Sequence, residues 1–160
     1  MGLVYGGGKV GLMGMIADAV LGAGGEVIGV IPQSLMRKEI AHSGLTDLRV
    51  VQSMHQRKAL MAELSDAFIA LPGGFGTFEE FCEIVTWAQL GLHGKPCGIL
   101  NVAGYYDQLL GMFDHAVEEK FLHPGNRALV IAGKNPSEML DCLANYKAPH
   151  VEKWITPGTS

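Results

Sequence analysis

Three glycines in four residues, Gly73, Gly74 and Gly76, follow Pro72, with Phe75 among them and with Thr77, Phe78, Glu79 and Glu80 directly after. They come after an apolar run at 67–71 that reads as a fully buried strand, and before residues 78–90, whose apolar side chains recur at helical spacing. Glycines at a strand-to-helix turn leave backbone N–H groups uncovered at the positive end of a helix, which is an anion-binding geometry. The same residues also fit a tight turn in which Thr77 is the helix N-cap and Glu80, three residues on, completes a capping box.

A second group stands on a helix expected at 54–64, with Ser53 as its N-cap. At about 100° per residue, Met54, Leu60, Met61 and Leu64 share one apolar arc, and Arg57 falls inside it. An inward arginine must find carboxylates, phosphate or other acceptors, because an unpaired buried charge is strongly unfavourable. Its planar fork suits phosphate, or a carboxylate bidentately. Snorkelling, or structural pairing with Glu63 or Glu80, is the alternative. Lys58 flanks the arc and can add a second positive charge. On the helix after the glycine turn, Phe78, Phe81, Cys82, Val85 and Ala88 form the expected buried stripe, with Glu80 at its edge and Glu79, Glu83 and Thr86 to the other side. Three carboxylates in the first two turns suit the helix dipole, yet they oppose an anion. A site that holds a phosphate on backbone N–H groups and Arg57, and presents a glutamate to another part of the ligand, reconciles the two. That combination looks like hydrolysis of a phosphorylated sugar compound.

The elements that must position these groups alternate along the chain. Strands are expected at 3–5, 27–31, 48–51, 67–71, 97–102 and 128–132, and helices at 12–21, 54–64, 78–90, 106–119 and 136–143. Six short strands alternating with helices imply a doubly wound parallel sheet, an α/β class with helices on both faces. The first turn, Gly6-Gly7-Gly8-Lys9-Val10-Gly11, formally matches GxGxxG. A dinucleotide site would also want an acidic residue about 20 positions on, and the second strand ends in Pro32-Gln33-Ser34 instead. Gly7, Gly8 and Gly11 therefore read as a phosphate cradle or a packing turn, with Lys9 on the surface or against an anion. Residues 36–44 read as a short helix or loop over the carboxyl ends of the strands, where Glu39 reaches a ligand or sits solvated.

Composition narrows the function classes. A chain of 160 residues, 48% apolar and 18% charged, has the make-up of a globular domain. Residues 1–146 read as one domain and 147–160 as a surface tail. A net charge of -4 without a Lys/Arg run argues against a nucleic-acid or anionic-membrane surface. No apolar run reaches the ~20 residues that span a bilayer, and the start is unlike a signal peptide. Cys82, Cys97 and Cys142 are odd in number and widely spaced, so they read as reduced core residues of a cytoplasmic protein. The six histidines form no ligand spacing, and no metal is expected.

With Arg57-Lys58 and the glycine turn in hand, the chain resembles the Lonely Guy (LOG) family, cytokinin riboside 5'-monophosphate phosphoribohydrolases once labelled lysine decarboxylases. The family's PGGxGTxxE motif is met by Pro72, Gly73, Gly74, Gly76, Thr77 and Glu80, and its MHxRKxxM block by Met54, His55, Arg57, Lys58 and Met61. The similarity continues through 5–14, Glu39, 86–91 and 100–102, and so covers nearly the whole chain.

The resemblance implies a Rossmann-like homodimer. It would hydrolyse the N-glycosidic bond of an adenine-type nucleoside 5'-monophosphate without metal or organic cofactor. Glu39, Arg57, Lys58, the turn from Gly74 to Glu80, and Thr86 would contact the nucleotide, and Arg57 and Glu80 would be the catalytic pair. Family members usually carry a further strand and helix, with a Gly-Ser-Ser turn, before the position of Gly2. The expectation here is that the start of the chain has been assigned too late. A non-catalytic nucleotide carrier, similar to molybdenum-cofactor carrier proteins around the glycine turn, is the rival reading. Arg57-Lys58 together with Glu80 favours the enzyme. A pyridoxal-dependent decarboxylase is poorly supported, since no lysine sits in a recognisable Schiff-base setting.

Overall fold

A computed structural model describes residues 1–36 and 41–149. The chain divides into two units, Met1–Ser65 and Asp66–Ser160. Among the described residues each carries one three-stranded sheet, and every strand pair is parallel. The class is α/β and Rossmann-like, as the alternation of strands and helices predicts.

The first unit runs β1 (Leu3–Tyr5), α1 (Leu12–Gly22), β2 (Val27–Pro32), β3 (Asp47–Val51) and α2 (Met54–Leu64). β2 is the middle strand, with Leu3 opposite Val27 and Ile28 opposite Asp47. Val27, Val30 and Ile31 are wholly buried, which is why this strand reads as an unbroken apolar run and does not alternate. Tyr5 and Ala17 join Val27 in the core, with Leu3, Val20, Leu21 and Leu45 packed around them. α2 forms where its periodicity and its cap predict. Ser53 Oγ accepts from the Gln56 N–H at 3.2 Å, satisfying one orphan donor of the first turn, and Gln56 Oε1 reaches back to accept from the N–H of Gln52, the residue before the cap, at 2.9 Å.

The second unit runs β4 (Phe68–Ala70), α3 (Phe75–Gln89), β5 (Cys97–Leu100), α4 (Asp107–Glu118), α5 (Pro124–Arg127), β6 (Val130–Gly133) and α6 (Pro136–Ala144). β5 is central and buried throughout. Ala70, Phe81, Cys97, Ile99, Tyr106 and Val130 make one core cluster, and Leu100, Met139 and Leu143 another.

Several expectations shift at the residue level. The run at 67–71 is not fully buried, since Ile69 keeps 39% exposure while Ala70 keeps 6%; one face of this short strand is uncovered. Strand β5 stops at Leu100 and passes into a 3-10 turn at Val102–Gly104. The short helix α5 sits in what the sequence leaves as a loop, begun by Pro124 at a position where its missing N–H costs nothing. Of the three cysteines only Cys97 is buried; Cys82 and Cys142 are exposed, and all three are free. On α3 the core-facing position is Phe81, and one residue of helical rotation carries Cys82 off that face.

Candidate functional site

The residues singled out from sequence fall in both units, and each set is built within its own. In the first unit Arg57 sits one turn into α2 and is the helix's one buried residue, at 6% exposure. Its inward placement is therefore correct, on a helix whose other apolar side chains are only partly covered. Nη1 rests 3.9 Å from Met54 Sδ, three residues back on the same face. The guanidinium lies over Gly6, where an added β-carbon would stand 3.0 Å from Cζ and closer still to Nη2. Gly6 thus leaves the room that the arginine occupies. Lys58, next along the helix, is half-buried.

The loop after β1 is built into the same unit. Gly7 and Gly11 have φ of 78° and 65°, left-handed values that favour glycine. Gly7 and Gly8 are buried, Gly8 bridges Ala41, and the Gly7 carbonyl accepts from the His42 N–H at 3.0 Å. These contacts belong to the packing-turn alternative. Gly11 is the N-cap of α1 with open space around it. His42 is itself buried; Nδ1 accepts from the Gly44 N–H at 3.1 Å, so Nε2 carries the proton donated to Asp18 Oδ1 at 2.9 Å. Glu39 lies outside the described residues.

In the second unit the glycine turn becomes the start of α3. The helix begins at Phe75, three residues earlier than periodicity suggests, with Gly74 as N-cap and no side-chain cap hydrogen bond. Thr77 is therefore inside the first turn, and the capping-box reading does not hold. The first helical bond is Phe78 N–H to the Gly74 carbonyl at 3.2 Å, so the N–H groups ahead of it have no partner within the helix. Gly73 is covered by Thr77, since an added β-carbon would stand 3.0 Å from Thr77 Cβ and closer still to Oγ1. Gly74 and Gly76 are different. Neither has a left-handed φ, and a β-carbon on either would meet nothing within 4 Å.

Glycine is a weaker helix former than alanine, and Gly76 stands in the first turn of α3. At Gly76 neither backbone geometry nor internal packing calls for glycine. What its absent side chain leaves open is the approach to the bare N–H groups at the positive end of α3.

The remaining predicted residues line the first turns of α3. Phe75 is 90% exposed, and its ring stands 6.4 Å from that of Phe78, edge to face. Glu79 is exposed and Glu80 half-buried. Thr86 is exposed further along, its hydroxyl donating to the Cys82 carbonyl at 2.7 Å.

Sequence reasoning missed the residues that hold the glycine turn from behind. The Tyr105 hydroxyl donates to the Gly73 carbonyl at 2.7 Å, and the Tyr106 hydroxyl donates to the Leu71 carbonyl. Asn101, buried at the end of β5, accepts from the Tyr106 N–H and donates to Asp107 Oδ1, both at 2.7 Å. The available signal was a pair of hydroxyl-bearing aromatics just beyond the carboxyl end of a central strand, where ligand loops gather in α/β sheets.

The sequence has relatives among known proteins. A family model described as "Possible lysine decarboxylase" matches residues 13–143. The chain is 53% identical over 148 residues to the rice protein "Probable cytokinin riboside 5'-monophosphate phosphoribohydrolase LOGL6" (Oryza sativa subsp. japonica), covering 92% of this chain and 59% of the relative. It is also 53% identical over 148 residues to "Cytokinin riboside 5'-monophosphate phosphoribohydrolase LOG1" of Arabidopsis thaliana, covering 92% of this chain and 70% of the relative. A further rice protein, "Probable cytokinin riboside 5'-monophosphate phosphoribohydrolase LOGL1", is 50% identical over 158 residues, 99% of this chain and 70% of the relative. The chain thus spans 59% and 61% of the length of two of the rice relatives it matches.

Proposed function

Because the chain belongs to the Lonely Guy family, we propose that it hydrolyses the N-glycosidic bond of a cytokinin riboside 5'-monophosphate, or of AMP. Water is consumed, and the products are the free base and ribose 5-phosphate. The observation that carries the reading is the bare start of α3, where Gly74 and Gly76 leave backbone N–H groups open to an anion. A 5'-phosphate is the anion such a substrate offers, and its binding energy can be used to orient the distant reacting carbon.

Glu80, half-buried on α3, takes the carboxylate role in this reading. The base leaves from an oxocarbenium-like sugar, and a carboxylate near C1' both stabilises that cation and activates the attacking water. Arg57 and Lys58, in the first unit, take the cationic roles that the family motifs imply; the planar fork of the arginine suits phosphate, or a carboxylate bidentately. Glu39 and Thr86 complete the contacts expected from the family motifs. The enzyme acts as a homodimer, a reading supported by exposed apolar side chains such as Leu90, Leu92 and Phe121.

Free-base release is measured from N6-isopentenyladenosine 5'-monophosphate, AMP and the unphosphorylated riboside, with Glu80→Gln and Arg57→Ala alongside. Cleavage of the monophosphates, at least ~100-fold reduced in both variants, is the expected result. Binding of AMP by the folded protein without release of base overturns the enzyme in favour of a carrier.

A further inference from the structure

We propose that Tyr105 is a positioning residue for the phosphate-binding turn: its hydroxyl fixes which way the Gly74 N–H points. The inference rests on the phosphoribohydrolase reading for its substrate, and on the geometry of the second unit for its mechanism.

The peptide group between Gly73 and Gly74 is trans and planar, so its carbonyl and N–H point in opposite directions. The Tyr105 hydroxyl holds the Gly73 carbonyl at 2.7 Å, across 32 positions of sequence. With the carbonyl drawn toward Tyr105, the Gly74 N–H is turned to the opposite side. Glycine at both positions would otherwise let this peptide rotate freely. Gly74 is also the N-cap of α3, so its orientation sets the entry into the helix whose first N–H groups are uncapped.

The tyrosine is itself held. Ala103 and Gly104 have consecutive left-handed φ values of 51° and 75°, and left-handed backbone at a non-glycine persists only where surroundings enforce it. Here the enforcement is visible. Asn101, 4% exposed, accepts from the Tyr106 N–H and anchors Asp107, and Tyr106 is buried with its hydroxyl on the Leu71 carbonyl. The rings of Tyr105 and Tyr106 meet edge to face at 5.0 Å, and Tyr106 meets Phe78 at 6.1 Å. The turn after β5 thus clamps the turn after β4 at two carbonyls, and only the Gly73 carbonyl belongs to a peptide with an N–H to aim, because Leu71 precedes proline. Tyr105 keeps half of its surface exposed, so its ring adds little to the core and its hydroxyl is the part with a specific partner.

The test is Tyr105→Phe in the full chain. The expected result is a melting temperature within ~2 °C of the parent, a KM for the nucleoside monophosphate raised about tenfold and a kcat changed less than twofold, the pattern of lost uniform binding. The preference for monophosphate over the riboside shrinks by the same factor. Unchanged KM, or an equal loss on the riboside, overturns the proposal. Titration with inorganic phosphate, followed through the Gly74 amide resonance, separates this from the wider reading. If the parent cleaves no monophosphate yet its Gly74 amide responds to phosphate, a weakened response in Tyr105→Phe upholds the positioning role and an equal response overturns it. If the parent amide does not respond at all, the role is overturned.

Discussion

Arg57 lies directly over Gly6, its guanidinium filling the volume that any side chain at that position would occupy. A single missing β-carbon on the loop after β1 therefore decides where the buried charge of α2 can rest. Gly6 has no left-handed φ, so alanine fits its backbone and collides only with the far end of a flexible side chain.

Gly6→Ala is expected to fold, with a stability loss of ~1 kcal/mol, while moving the guanidinium enough to lower kcat/KM by about a hundredfold. Added to Arg57→Ala, it should cost no further activity, since the two act on one group. Steady-state kinetics on the two single variants and the double variant check this. Independent, multiplying losses would show that Gly6 acts by another route.

A second prediction concerns stability alone. Gly98, on the central strand β5, leaves room for α6; an added β-carbon would stand 2.6 Å from Met139 Sδ and 3.4 Å from Leu143 Cδ2. Gly98→Ala overpacks this contact and should destabilise the protein by about 1–3 kcal/mol in urea unfolding. Shortening the opposing side chain with Met139→Ala in the Gly98→Ala background should cost less than Met139→Ala alone, because the new methyl occupies part of the cavity.

The third prediction is the alkaline limit. Burial pushes the Cys97 thiol from 9.0 up to about 12, and burial, with the Asp18 carboxylate adding to it, pushes the Tyr5 hydroxyl from 10.0 up to about 12. Both groups are held neutral in the folded state, so the unfolded chain releases their protons first. Their contribution to stability is whole below about pH 9 and is lost as pH rises toward about 12. Urea midpoints should therefore fall between about pH 9 and 11, and the fall should be shallower in Cys97→Ala. An equal slope in that variant would assign the alkaline loss to other groups.

Much of this protein is local information. Ser53 followed by Gln56 starts α2, and the recurrence of Met54, Leu60, Met61 and Leu64 carries it to its end; both are contacts within a few residues, so the sequence displays them. The same periodicity marks Arg57 as inward-facing, and it is buried. The apolar run of β2 announces a strand covered on both faces.

The start of α3 is less legible. Periodicity begins at the first side chain that packs, Phe78, whereas the helix begins at Phe75, on residues that bury nothing and so leave no pattern. The motif residues at the turn were visible as types and spacing, but not the open space around Gly74 and Gly76.

That open space, and the hold on the turn, came only from the tertiary structure. Tyr105 meets Gly73 and Tyr106 meets Leu71 across 32 and 35 positions, because parallel β4 and β5 bring the loops after them to the same end of the sheet. Arg57 meets Gly6 because α2 returns across β1. One-dimensional periodicity records which face of an element is apolar. Which two distant loops then share that space is set by strand order and register, and in a parallel sheet each pairing spans a whole crossover.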